Sequence, residues 1–251
     1  MLIRWLCRCF LWSLLIGAGA SGAQPITVSA AASLQDAMRE IGAMFVTANP
    51  AIELKFNFAS SGELLTQIAR GAAVDVFASA DIETMNRALS RRLIDADTRA
   101  ELAGNQLVLI TPTSRETGMR TLRDLLNVDV RRIGVGRVAD VPAGRYAKAG
   151  LDAQRLWAAL TRQLVFMSDV REVLNAVGRG ELDAGFVYRT DALLEPNKVR
   201  IDLVVPLAQP VLYPIARVAN SGQTVAAAKF IDFARSPPAQ AVLARFGFTS
   251  P

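Results

Sequence analysis

Histidine is absent from all 251 residues, and the two cysteines, Cys7 and Cys9, both fall in the first ten positions. The first absence excludes Ser-His-Asp and Cys-His catalysis and histidine-ligated metal sites. The second leaves everything beyond the N-terminus without a thiolate nucleophile, a zinc cluster or a disulfide. Aromatic residues are scarce, at 7%. Basic and acidic residues are interspersed without a basic run, so a nucleic-acid surface is poorly supported. No apolar run beyond the N-terminus is long enough to span a bilayer. A pocket for an anion in such a chain must be built from neutral donors.

The N-terminus reads as an export signal. Arg4 and Arg8 precede the apolar run Phe10 to Ala18, and Ser21-Gly22-Ala23 fits a small-x-small cleavage site. Removing the first 23 of 251 residues leaves 228, takes both cysteines away, and lowers the net charge from +5 to +3 through the loss of two arginines. Neither cysteine stands at a lipoprotein-type cleavage point. A disulfide-free exported chain must hold itself by its core, and 51% apolar content over that length permits one or two.

Beyond the signal, strand and helix patterns alternate, as in a parallel sheet with helices on its faces. Ile26 to Ala30 reads as a strand. Ser33 opens a helix whose apolar face is Leu34, Ala37, Met38, Ile41 and Phe45. Ile52, Leu54, Phe56 and Phe58 alternate as a half-buried strand, and Ser61 opens a helix that Gly71 ends. Val74 to Ala78 is a strand, with Asp81 capping the next helix. Leu107 to Thr111 is a continuous apolar strand. After it the spacing gives a helix near Thr121 to Leu126, a strand over Arg132 to Val135, and helices after Pro142 and Asp152. A helix capped by Ser168, strands Ala184 to Tyr188, Ile201 to Val205 and Val211 to Val218, and two closing helices follow, the last with Ser236 as cap.

The chain echoes itself. Arg70-Gly71-Ala72-Ala73-Val74-Asp75 and Arg179-Gly180-Glu181-Leu182-Asp183 each end a helix, turn, and lead through Asp into an apolar strand. This reads as two similar α/β lobes, residues 24–106 with 215–251 and residues 107–214. Ligands of such sheets sit at the carboxyl ends of strands, where helices begin.

Several residues fall there. Ser33 and Ser61 each follow a strand and open a helix, with Ser60 as a competitor. Each is either a plain N-cap or a hydroxyl beside free amides, ready for an anion. Val141-Pro142-Ala143-Gly144 and Ser168-Asp169-Val170 precede helices of the second lobe and offer free N–H groups at Ala143 and Val170. Tyr188 ends a strand at the same edge, as a rim residue or a phenolic donor. Gly134-Val135-Gly136-Arg137-Val138-Ala139 only loosely follows a dinucleotide fingerprint, and Asp140-Val141-Pro142 interrupts where the helix should run. Glu63, Asp75, Asp81 and Asp183 could supply an acid–base pair of a hydrolase, although turn and cap roles explain the three aspartates.

These motifs together resemble the periplasmic molybdate-binding proteins of ABC transporters. The likeness rests on Ala30-Ala31-Ala32-Ser33-Leu34, Phe58-Ala59-Ser60-Ser61, Ala78-Ser79-Ala80-Asp81, Val141-Pro142-Ala143-Gly144-Arg145-Tyr146-Ala147, Asp169-Val170-Arg171, Val187-Tyr188 and Arg245-Phe246-Gly247-Phe248. It implies an α/β two-lobed binding protein, each lobe a mainly parallel sheet flanked by helices, joined by hinge strands around a cleft. It also implies the hydroxyls of Ser33 and Ser61, the amides of Ala143 and Val170 and the phenol of Tyr188 as ligands of a tetrahedral oxyanion, molybdate or tungstate. No catalytic residue, no cofactor and no direct side-chain metal ligand is implied. The partner would be the permease of an ABC importer, with the protein itself a periplasmic monomer. Gly62 and Arg189 depart from the family pattern, where a hydroxyl and a small residue are common. Another oxyanion such as sulfate is the nearest rival ligand, and an exported hydrolase or a sensing domain lie further off. Without histidine, affinity should be flat between about pH 6 and 8 unless a nearby carboxylate is perturbed.

Overall fold

In the computed structural model, residues 25–127 and 129–251 are described. The export signal, with Arg4, Arg8, Cys7, Cys9 and the cleavage point after Ala23, lies outside them.

The first half runs β1 (Ile26–Ala31), α1 (Gln35–Ala48), β2 (Leu54–Ala59), α2 (Ser61–Ala69), β3 (Val76–Ala78), α3 (Ile82–Ser90) and β4 (Ala100–Asn105). Then come β5 (Leu107–Pro112), β6 (Ile133–Gly136), α4 (Pro142–Ala153), α5 (Trp157–Leu160), β7 (Leu164–Met167), α6 (Val170–Gly178), β8 (Ala184–Tyr188), α7 (Arg189–Ala192) and β9 (Val199–Val204). The chain returns through β10 (Val211–Arg217), α8 (Thr224–Ala234) and α9 (Pro237–Arg245).

Two five-stranded sheets result, ordered β2-β1-β3-β10-β4 and β7-β6-β8-β5-β9. Three strands of each are parallel; β10 and β5 then pair antiparallel on both sides. The sheets therefore share one topology, and the repeated turns have equivalent roles. Gly71 and Gly180 both take left-handed φ, +88° and +71°, where any side chain would be strained. Asp75 then accepts from Thr27 N at the start of β1, and Asp183 from Arg131 N and Arg132 N at the start of β6. The chain crosses between lobes at Gln106 and again between β9 and β10. All of β10 belongs to the first sheet, so the return precedes Val211 rather than falling at residue 215.

The helical spacing of α1 buries Ala37, Met38, Ile41 and Phe45 as its pattern demands. Other details differ. A 3-10 turn, Ala32–Leu34, carries Ser33 ahead of α1. The segment Leu122–Leu126 is also 3-10. The cap of α6 is Asp169, whose Oδ1 accepts from Arg171 N and Glu172 N, because Ser168 spends both N and Oγ on Glu172. Ser236 stands at the N-cap of α9 but turns its hydroxyl back to Phe233 O. Strands β4 and β7 carry no strong periodic signal and are held by their neighbours.

The inner faces of the two lobes merge into one apolar cluster. Tyr188 of β8 and Tyr213 of β10 pack edge to face at 5.5 Å, flanked by Tyr146 and Phe248. In the first lobe Phe230 of α8 meets Phe45 at 5.2 Å and Phe56 at 6.2 Å. No helix among the described residues is long and apolar enough to cross a membrane. Phe230 is fully buried, so Phe230→Ala should cost about 3–5 kcal/mol; urea denaturation measures it.

Candidate functional site

All five expected site residues line one narrow cavity between the lobes, whose volume is only about 10 Å³. Its walls are Ala31 to Ser33, Ser60, Ser61 and Ala80 of the first lobe, and Val141 to Ala143, Asp169, Val170 and Tyr188 of the second. The N-terminal ends of α2, α4 and α6, and the turn before α1, open onto it. Such ends carry unpaired N–H groups and the positive pole of the helix dipole. The amide nitrogens of Ser61, Ala143 and Val170 have no acceptor among the described residues.

Neither serine acts as a helix cap. Ser33 Oγ lies 3.0 Å from Tyr213 OH, which accepts from Asn105 Nδ2 at 3.2 Å. Ser33 Oγ is the one acceptor within reach of the buried phenol among the described residues, and with the phenol donating to it the seryl hydrogen is left for the cavity. Ser61 Oγ accepts from Ala80 N at 2.9 Å, which frees its hydrogen in the same way. A hydroxyl that already accepts one bond still has its single hydrogen to give to a ligand. Ser60 is the N-cap of α2, and its buried Oγ has no partner at all.

Tyr188 reaches across the cleft and donates to Ala80 O at 3.2 Å. Its single hydrogen must leave that carbonyl to meet an anion. Burial pushes the phenol well above its ordinary pKa, as it does for Tyr213, so both stay protonated donors. Tyr213 and Asn105 are absent from the sequence-based set, since the contact joining Tyr213 to Ser33 spans 180 positions.

Two close approaches shape the cavity. A Cβ on Gly144 would stand 2.0 Å from Gly136 O, so glycine lets α4 settle against the end of β6 and present Ala143. Gly62 donates its N–H across the cleft to Asp140 O at 2.8 Å, and a Cβ there would meet Asp140 Cα and O at 2.6 Å. Its departure from the family pattern is thus a condition for this degree of closure. Arg189 is exposed and does not line the cavity.

The carboxylates do not assemble into an acid–base pair. None of Glu63, Asp75, Asp81 and Asp183 lines the cavity. Asp169 does, with Oδ1 committed to capping α6. Behind it, Asp191 is fully buried and accepts from Tyr188 N. Arg171 Nε lies 2.7 Å from Asp191 Oδ1, an ion pair whose angle does not make a hydrogen bond. Burial raises the Asp191 pKa to about 6, against the lowering effect of Arg171, with Asp169 adding repulsion.

Comparison with known proteins agrees with this geometry. The family described as bacterial extracellular solute-binding protein matches residues 26–249. The molybdate-binding protein ModA of Escherichia coli K12 is 36% identical over 229 residues, 89% of this chain and 88% of that protein. Among solved structures, the periplasmic molybdate-binding protein of Azotobacter vinelandii superposes with a TM-score of 0.79 at 20% identity, covering 90% of this chain and 99% of that one. The sulfate-binding protein SubI of Mycobacterium tuberculosis gives the same TM-score at 18% identity, covering 90% of this chain and 86% of that one. At those identities the likeness speaks for the fold and leaves the anion open.

Gly62→Ala should weaken oxyanion binding by about 1–3 kcal/mol through overpacking at the closed interface, read by calorimetry, with ligand-free urea stability little changed. Asp191 binds its proton more tightly folded than unfolded, so its contribution to stability is full below about pH 4 and is lost as pH rises through about 6. Stability of Asp191→Asn relative to the parent should therefore rise across that window and level off above it, measured by denaturation at a series of pH values.

Proposed function

Because this chain belongs to the bacterial extracellular solute-binding protein family, we propose that it captures molybdate outside the cytoplasm and delivers it to the permease of an ABC importer. The observation that carries this reading is that Ser33 and Ser61 each accept one bond, from Tyr213 and from Ala80 N, and keep a hydrogen to give to a ligand. The 36% identity to a molybdate-binding protein supports the choice of anion. Tungstate, with the same shape and charge, is proposed as a second ligand. The working form is proposed to be a periplasmic monomer released from its signal after Ala23, with no cofactor and no catalytic turnover.

The binding chemistry follows from the donor set. The hydroxyls of Ser33 and Ser61 and the amides of Ala143 and Val170 converge on a tetrahedral dianion, and Tyr188 joins them by exchanging Ala80 O for an anion oxygen. A hydrogen bond to a charged group contributes about 1.5–3 kcal/mol. Five such bonds from donors already held in place support micromolar or tighter binding after the cost of association. The proposed ligands all donate, which favours a fully deprotonated oxyanion over a protonated phosphate. Sulfate carries no proton but is smaller, so discrimination against it rests on the spacing of the donors. Since each lobe supplies part of the shell, the ligand favours the closed arrangement.

A thermal-shift panel of molybdate, tungstate, sulfate and phosphate on residues 24–251 tests the reading. A ligand that binds only the native state adds about 2.7 kcal/mol at a hundredfold excess over Kd, so molybdate should raise Tm by several degrees. A shift with sulfate alone would reassign the anion. Ser33→Ala and Ser61→Ala should each weaken molybdate binding roughly 10- to 150-fold by calorimetry; wild-type affinity in both removes the site.

A further inference from the structure

The neutral cavity is flanked by two charged contacts that join the lobes, and its donors do not use either. Arg145 lies in the first turns of α4, two residues after Ala143. Its Nε and Nη2 lie 2.9 and 2.6 Å from Asp81 Oδ2, and Nη2 also donates to Thr84 Oγ1 at 2.6 Å. Glu83 stands 3.6 Å away. Both side chains of the main pair are nearly buried, at 13% and 5% exposure. On the other flank Arg171, one residue after Val170, reaches Asp36 in the first turn of α1 at 2.8 Å. Its other edge rests on Asp191 of its own lobe.

The pattern repeats. Each lobe-two amide donor is followed within two residues by an arginine, and each arginine takes a lobe-one aspartate that lies close in sequence to a residue lining the cavity. Asp36 follows Ser33, and Asp81 follows Ala80, the residue whose amide fixes Ser61. The groups are also held before they meet. Arg145 Nη1 donates to Val138 O and Ala139 O of its own lobe. Asp81 Oδ1 already accepts from Thr84 N and Ser79 Oγ. Closing therefore costs little further side-chain entropy. The same guanidinium ties down the segment whose Asp140 O receives Gly62 N.

Resting on the proposal that an oxyanion is captured between the lobes, we infer that Arg145 and Arg171 are positioning residues: they hold the lobes shut around a ligand that neither of them touches. The closed state is thereby favoured from outside the cavity, and affinity scales with the fraction of protein that is closed.

A double-mutant cycle on Arg145→Met and Asp81→Asn tests this, with molybdate Kd from calorimetry and the radius of gyration of ligand-free protein from small-angle scattering. Asp81→Asn keeps a cap oxygen for Thr84 N. Each single variant should bind about tenfold more weakly, within the usual range of coupling between sites. The double variant should be no weaker than the worse single one, and the ligand-free variants should be more expanded than the parent. A purely structural role would lower Tm without that non-additivity or expansion, and would overturn the inference. So would wild-type affinity in either single variant. Should Arg145→Met not fold, Asp81→Asn alone decides by the same two measurements. Failure of the parent to bind molybdate would instead strike the proposed ligand, and the scattering comparison would still decide the role of the arginines.

Discussion

A hydroxyl can give and take, and the cavity depends on two of them keeping a hydrogen to give. Ser33 receives the Tyr213 phenol, itself fed by Asn105, and Ser61 receives the Ala80 amide. Each serine is left with one hydrogen for which no acceptor is found among the described residues. Beside them stand the amides of Ala143 and Val170 at helix starts. The result is a donor-rich surface without formal positive charge on its walls, Asp169 being its one charged lining residue. Without histidine, an anion is held either by such neutral donors or by lysine and arginine, and no lysine or arginine lines this cavity.

That separation of labour explains the burial pattern around the cleft. Buried ion pairs are costly when one partner is missing, so Arg145 and Arg171 are each surrounded by several acceptors and never depend on the ligand. Asp191 sits inside this arrangement, held by Tyr188 N and Arg171. The two tyrosines that bridge the lobes are packed against each other and against Phe248. Closure is thus a contact between rigid surfaces, with Gly62 permitting the last approach.

Much of this was legible in the residues. Helices α1 and α2 declare themselves by apolar spacing, and β5 and β8 by apolar runs. The pairing of turns at Gly71 and Gly180 announced the lobes. Residues following strands marked the cavity, since chain direction alone puts strand ends and helix starts on one edge. What stayed hidden was held by distance in sequence. Ala100–Asn105 reads weakly as a strand and exists because β10 pairs with it from over a hundred residues away. Tyr213 reads only as a strand residue, and its service to Ser33 is created by the fold. Ser168 looked like a cap because spacing cannot tell which of two adjacent polar residues turns inward; Glu172 settled it by taking Ser168.

The order of strands in the first sheet also bears on how the chain is made. Strand β10 lies between β3 and β4, and α8 and α9 pack on α1. The first lobe therefore cannot be completed from the N-terminal residues, however long they wait. The second sheet, by contrast, is drawn entirely from the unbroken stretch β5 to β9, so the half of the molecule that begins first in the chain is the one finished last.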